Sequence, residues 1–213
     1  FTNKAAGELR DRLTAKLGKR KAGEVTIGTF HAICLTLLEE AGERSRLGGA
    51  YECLELAGRV IRALGVKCSP SALLESVSRR KNDLETGEEP EGMEAACTFY
   101  MRQLNESGLM DFDDLLIQAL ALSQAMRGPA QRRFRHLLVD EFQDCNDLQY
   151  RLVRAWSRGG ESLFVIGDPD QSIYAFRGAD PSCFGQLRAD FPGLEEITLV
   201  RNYRSTPEIL SAA

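Results

Sequence analysis

Three apolar residues, Leu137-Leu138-Val139, run straight into two adjacent carboxylates, Asp140 and Glu141, followed by Phe142-Gln143-Asp144. Few folds accept this junction. The apolar run suits a buried strand, and an unpaired carboxylate is costly to desolvate. The acids therefore belong just past the strand's carboxyl end, where open parallel sheets bind their ligands. One carboxylate holding a hydrated magnesium ion and a neighbour acting on water is what nucleotide hydrolysis requires.

The same plan recurs along the chain. Val25-Thr26-Ile27 leads into Gly28-Thr29-Phe30-His31 and then an amphipathic helix through about Glu40. The acidic cluster leads into a helix from about Asp147 to Trp156. Leu163-Phe164-Val165-Ile166 leads into Gly167-Asp168-Pro169-Asp170-Gln171, and Ile197-Thr198-Leu199-Val200 into Arg201-Asn202-Tyr203-Arg204. Strands alternating with helices predict a parallel α/β sheet. Polar clusters at one end of those strands predict a single composite site there. Phe1 reads as the stub of a further strand, and Thr2 or Asn3 as the cap of a helix running to about Leu17.

Residues 45–108 break the plan. Leu54, Ala57, Ile61 and Leu64 recur at helical spacing, as do Leu73, Leu74 and Val77. Gly48-Gly49, Ser69-Pro70 and the stretch from Gly87 to Gly92 punctuate them. This segment is expected to be an all-helical insert between two parts of one sheet domain, residues 1–44 and 109–213. Asp111-Phe112-Asp113-Asp114 then opens a helix back into that domain, its acids suited to the helix dipole.

A chain of 213 residues holds one large domain, or a domain with an insert. Its six cysteines show no Cys-x-x-Cys spacing, which argues against a zinc site or a disulfide framework and for reduced thiols in a cytoplasmic protein. No apolar stretch approaches the roughly 20 residues that span a bilayer, so no membrane partner is expected. No signal peptide is visible and no initiator Met precedes Phe1, so the chain reads as cut at both ends. The net charge of −4 gives no global sign of nucleic-acid binding, although a groove needs only local positive potential. Arg79-Arg80-Lys81 reads as a solvated helix face, with contact to duplex phosphates as the alternative, and Arg132-Arg133-Arg135 as solvent-facing.

Five segments in order carry a family resemblance. They are Phe1-Thr2-Asn3-Lys4-Ala5-Ala6, Thr29-Phe30-His31-Ala32, Asp140 to Asp144, Gly167 to Ala179, and Asn202-Tyr203-Arg204-Ser205-Thr206. Together they resemble the ordered motifs of superfamily 1 DNA helicases of the UvrD/Rep/PcrA type. The resemblance implies a RecA-like P-loop NTPase core, ATP and Mg2+ as cofactors, and movement along single-stranded DNA with 3′-to-5′ polarity in DNA repair or replication. It also implies action at single-strand/duplex junctions. Asp140 resembles the magnesium ligand, Glu141 the base that activates water, and Gln171 the glutamine that senses the γ-phosphate. An amide suits that last task because it donates without a change of protonation. Arg204 resembles an arginine on the γ-phosphate, for which guanidinium geometry is apt. Phe1, Tyr174 and Phe176 resemble base-stacking positions, and Thr2, Asn3, Thr29 and His31 backbone-contacting ones.

By residue type alone, Gln171 is a turn residue, Arg204 a surface ion-pair partner and His31 a cap or packing residue. Tyr174 and Phe176 are then core aromatics. Arg177 serves either DNA or a local acid such as Asp180. No Gly-x-x-x-x-Gly-Lys-Ser/Thr loop occurs in these residues. In the family it lies upstream of the Phe-Thr-Asn-Lys segment, and a second motor domain follows the Asn-Tyr-Arg-Ser segment. The chain is thus expected to be part of the first motor domain, inactive by itself, with the second motor domain of the same parent as partner. A motor subunit of a RecB/AddA-type helicase–nuclease and a non-catalytic single-strand-binding module are the rival readings.

Overall fold

The computed structural model describes residues 3–84, 86–172, 182–206 and 208–209, without the side chains of Asn3 and Pro129. The described chain mixes eight α-helices with two small parallel sheets. Helix α1 (Asn3–Gly23) is interrupted at Gly18, whose φ of 80° no ordinary helical residue adopts. The expected end at Leu17 coincides with that break, beyond which helix resumes. Helix α2 (Phe30–Glu40) begins where predicted, because the Thr29 hydroxyl accepts from the Ala32 N–H and caps it.

Strands β1 (Arg46–Leu47) and β2 (Leu109–Met110) pair in parallel, Arg46 against Leu109. Between them run α3 (Ala50–Leu64), α4 (Pro70–Lys81) and α5 (Met93–Glu106). These helices bury a cluster of their own, centred on Ala57, Val60, Leu73, Val77, Ala96, Tyr100 and Leu104. On α3 the buried stripe is Cys53, Leu56, Ala57 and Val60, offset from the expected Leu54, Ala57, Ile61 and Leu64. Both stripes are apolar, and packing against α4 and α5 selects the first. Leu54 and Leu64 are left exposed.

Helix α6 (Phe112–Ala125) starts from a reciprocal capping box. Asp111 accepts from the Asp114 N–H, and Asp114 accepts from the Asp111 N–H. It packs between α2 and α7 (Asp147–Ser157) through Leu37, Leu38, Leu115, Ala119, Leu152 and Trp156. The Trp156 Nε1–H donates to the buried Ser123 hydroxyl at 3.0 Å, which satisfies the one polar atom the indole brings inside.

Strands β3 (His136–Val139) and β4 (Ser162–Val165) pair in parallel, Val139 against Val165. The α7–β4 turn passes Gly160, where a Cβ would stand 2.8 Å from the Phe134 carbonyl oxygen. The obstacle is backbone, so Gly160→Ala is expected to cost about 1–3 kcal/mol in a denaturation experiment. Helix α8 (Ser182–Asp190) completes a third cluster with Val139, Phe142, Tyr150, Val153, Cys183 and Leu187.

The broad sheet of the expectation is not formed among the described residues. Residues 25–27 and 197–200 join no ladder, and Leu199 and Val200 are about nine-tenths exposed. A strand exists through its inter-strand hydrogen bonds, and these runs have no such partner among the described residues. One face of the β3–β4 pair is correspondingly open, with the cross-strand neighbours Leu138 and Phe164 both exposed. All six cysteines are free thiols. Burial pushes the Cys34 and Cys145 thiols up to about 12, which keeps them protonated and unreactive. No helix among the described residues is long and apolar enough to cross a membrane.

Candidate functional site

The parallel pairing of β3 and β4 brings both of their following turns to one end of the sheet. The ladder continues one step past the strands. The Ile166 N–H donates to the Val139 carbonyl at 2.8 Å, and the Phe142 N–H donates back to Ile166 at 2.9 Å. Phe142 is fully buried, edge-on to Tyr150 and Phe184, and anchors the turn. Asp140 and Glu141, just before it, are exposed. Glu141 holds a left-handed backbone with φ of 52°, one of two non-glycine residues at positive φ among the described residues. Such a conformation costs about 1–2 kcal/mol for an L-residue and clusters at functional positions. The Asp140 Oδ1 accepts from the Glu141 N–H at 2.9 Å.

Gln143, 3% exposed, joins the two turns. Its Nε2 donates to Glu141 Oε2 at 2.6 Å, and its Oε1 accepts from the Asp168 N–H at 3.0 Å. Asp168 in turn accepts from the Asp170 N–H through Oδ1, and from Gln171 Nε2 through Oδ2 at 2.7 Å. A continuous chain of hydrogen bonds thus links Glu141 to Gln171. Gly167 must be glycine for this packing: a Cβ would stand 2.8 Å from both Gln143 Oε1 and Phe184 Cζ. The sequence marked Gly167 only as part of a turn, and gave Gln143 no role although it lies inside the acidic segment.

Among the described residues no three metal-ligating side chains converge, so an ion here would have to complete its shell with phosphate oxygens and water. Asp140 offers an exposed carboxylate with one oxygen fixed by backbone. Magnesium characteristically takes one or two carboxylates together with phosphate oxygens and water. Arg204 is not brought to this cluster by any hydrogen bond among the described residues. It lies on an exposed turn in which Asn202 Oδ1 accepts from the Arg204 and Ser205 N–H groups. The neighbouring Arg201 guanidinium lies 4.9 Å from the centre of the Tyr203 ring.

A second group of candidates meets at the start of α2. Thr29 is the cap, its oxygen engaged by Ala32. His31 is half-buried and meets Phe112 edge-to-face at 5.2 Å. Burial lowers the His31 pKa, and nearby Asp113 pulls the other way. The shift favours the neutral ring, which offers polarity without charge. Phe112 was missed by sequence reasoning. At α6 spacing it falls in line with Leu115, Leu116 and Ala119, which reads as core. It is nevertheless 52% exposed, standing in the first turn beside His31. Phe1, Thr2, Tyr174, Phe176 and Arg177 lie outside the described residues, as does the Asn3 side chain.

The basic run Arg79-Arg80-Lys81 is the expected solvated face only at Arg79, which is exposed and pairs with Glu75 on the same helix. Arg80 forms a two-pronged, largely buried pair with Glu89. Lys81 is 7% exposed and reaches Asp111 and Asp114 at 2.7 Å each, while Asn82 Nδ2 donates to Asp113. The end of α4 is thereby fastened to the start of α6, next to Phe112 and His31. Arg133 and Arg135 are exposed as expected and pair with Glu40 and Glu161.

Comparison with known proteins gives this arrangement a family. The UvrD/REP helicase N-terminal domain matches residues 1–192. Aligned over its whole length, the chain is 37% identical to the ATP-dependent DNA helicase UvrD1 of Mycobacterium tuberculosis, covering 32% of that protein. It is 35% identical to the ATP-dependent DNA helicase Rep of Escherichia coli, covering 35% of it, again along its full length. The corresponding figures for the ATP-dependent DNA helicase PcrA of Bacillus subtilis are 33% and 32%. The chain spans about a third of the length of these relatives. With the two turns joined at the end of β3 and β4, and with this match over most of its residues, the chain belongs to the UvrD/REP helicase family.

Proposed function

We propose that the protein carrying this chain is an ATP-dependent DNA helicase that moves 3′-to-5′ on single strands, in DNA repair or replication in the cytoplasm. The observation that carries the reading is the hydrogen-bonded chain Glu141–Gln143–Asp168–Gln171 at the shared end of two parallel strands. When bound, magnesium–ATP would supply the γ-phosphorus that water attacks, with the nucleoside diphosphate as leaving group. Asp140 would hold the ion, Glu141 would take the proton of the attacking water, and Gln171 would donate to the γ-phosphate. Arg204 approaches that phosphate when a second motor domain closes on the first. Residues 1–44 and 109–213 form a RecA-like motor domain and residues 45–108 a helical insert. The parallel Arg46–Leu109 pairing and the separate core of α3–α5 support that division.

The strand runs past Thr29, His31 and Phe112, with Phe1, Thr2, Asn3, Tyr174, Phe176 and Arg177 completing its path toward a single-strand/duplex junction. Base-on-aromatic stacking is worth about 1–3 kcal/mol and tolerates any sequence. Phe112→Ala is therefore expected to weaken single-strand affinity by about 5- to 150-fold, equally for different sequences, as read by fluorescence anisotropy. Unchanged affinity would remove Phe112 from the path. The function itself is tested by ATP hydrolysis in the full-length protein with and without single-stranded DNA. Strong stimulation is expected, and its absence in folded protein would refute the reading.

A further inference from the structure

We propose that Gln143 is a positioning residue that ties the orientation of the Glu141 carboxylate to the turn carrying Gln171. The inference rests on the role proposed above for Glu141. Gln143 is almost fully buried and its amide is used at both ends: the nitrogen on Glu141 and the oxygen on the Asp168 N–H. Its backbone carbonyl also accepts from the Ser172 hydroxyl at 3.3 Å. One residue of the first turn thus touches both ends of the 168–172 segment. Gly167 leaves the space the amide occupies, since a Cβ there would stand 2.8 Å from Gln143 Oε1.

Geometry makes the link directional. Glu141 is exposed, and the described contacts of its carboxylate place only the Gln143 amide upon it. One carboxylate oxygen is held by the amide, on a residue that is exposed as a whole. Displacement of the Gln171 turn pulls on Asp168, whose N–H sits on the Gln143 oxygen. The amide is rigid and planar, so the pull rotates its nitrogen and with it the held oxygen of Glu141. The state of the phosphate-sensing turn is in this way transmitted to the aim of the base, and the reverse holds equally. A misplacement of about 1 Å in a reacting group costs about 10²-fold in rate.

Gln143→Glu separates the two arms. The carboxylate can still accept from the Asp168 N–H but faces Glu141 with an oxygen in place of a donor. In the full-length protein, kcat for DNA-stimulated ATP hydrolysis is expected to fall about 10²-fold, with KM for ATP changed less than about threefold. Single-strand affinity without nucleotide should be unchanged, and the change in that affinity produced by a non-hydrolysable ATP analogue should be lost. Gln143→Met, close in length and uncharged, removes both arms without burying a charge and carries the same expectation. A purely structural role predicts instead a lowered Tm with kcat per folded molecule intact. That result, or an intact nucleotide effect on DNA affinity, overturns the inference while leaving Glu141 as base. A wild-type protein without DNA-stimulated turnover refutes the function reading, and the inference with it.

Discussion

Replacing Lys81 by methionine is expected to destabilise the protein by about 3–5 kcal/mol, the typical loss when one partner of a buried ion pair is removed. Lys81 is 7% exposed, and its two partners Asp111 and Asp114 are 15% and 26% exposed. The ammonium is shared, so the variant strands two carboxylates around one shielded helix start. Burial already raises the Asp114 pKa, and the neighbouring Asp111 charge adds to this while Lys81 opposes it. Without the ammonium the Asp114 carboxyl rises further. A carboxyl raised in the folded state binds protons that the unfolded chain has released, so stability falls as pH rises from the ordinary carboxylate range through the folded value. The deficit should thus be largest at neutral pH and shrink in acid. Urea denaturation at pH 5 and pH 7.5 measures both the size and the sign. A loss below about 1 kcal/mol at pH 7.5 would show that water reaches the cluster and screens it.

Glu141→Gln in the full-length protein is expected to lower the rate of ATP hydrolysis by about 10²- to 10⁴-fold, the usual contribution of a general base. Nucleotide binding should survive. The amide is the same size as the carboxylate, its oxygen still accepts from Gln143 Nε2, and glutamine meets the left-handed backbone no worse than glutamate does. Single-turnover hydrolysis beside equilibrium binding of a fluorescent ATP analogue separates the two effects. Hydrolysis within tenfold of the unsubstituted protein would move the base elsewhere, and a parallel loss of binding would recast Glu141 as a ligand-holding group.

Local signals were the legible part of this protein. The run Leu137-Leu138-Val139 before two acids predicts a strand and a turn, because the cost of burying carboxylates is a property of those residues themselves. The starts of α2, α6 and α7 are legible for the same reason, since Thr29, Asp111 and Asn146 cap from within the adjacent turn. What failed depends on distant partners. Residues 197–200 look like a strand by composition, yet a ladder needs a neighbour that composition does not supply. Lys81 looks like one charge in a solvated run, and its partners lie some thirty residues away. Phe112 follows the core periodicity of α6 and escapes the core only by standing at its end. Gln143 sits in plain view within the acidic segment, but its importance lies in the Asp168 backbone that it meets across the sheet.

The Arg46–Leu109 pairing bears on how this chain tolerates change. Parallel neighbours lie about 4.8 Å apart, so everything between them departs and returns at nearly the same point. The entropy of closing such an excursion grows only by about 0.6 kcal/mol for each doubling of its length. Segments between these two residues can therefore be lengthened, trimmed or exchanged while the rest of the molecule keeps the same span to bridge. The restriction comes from the end of α4: any replacement must return a cation to Asp111 and Asp114 and a donor to Asp113.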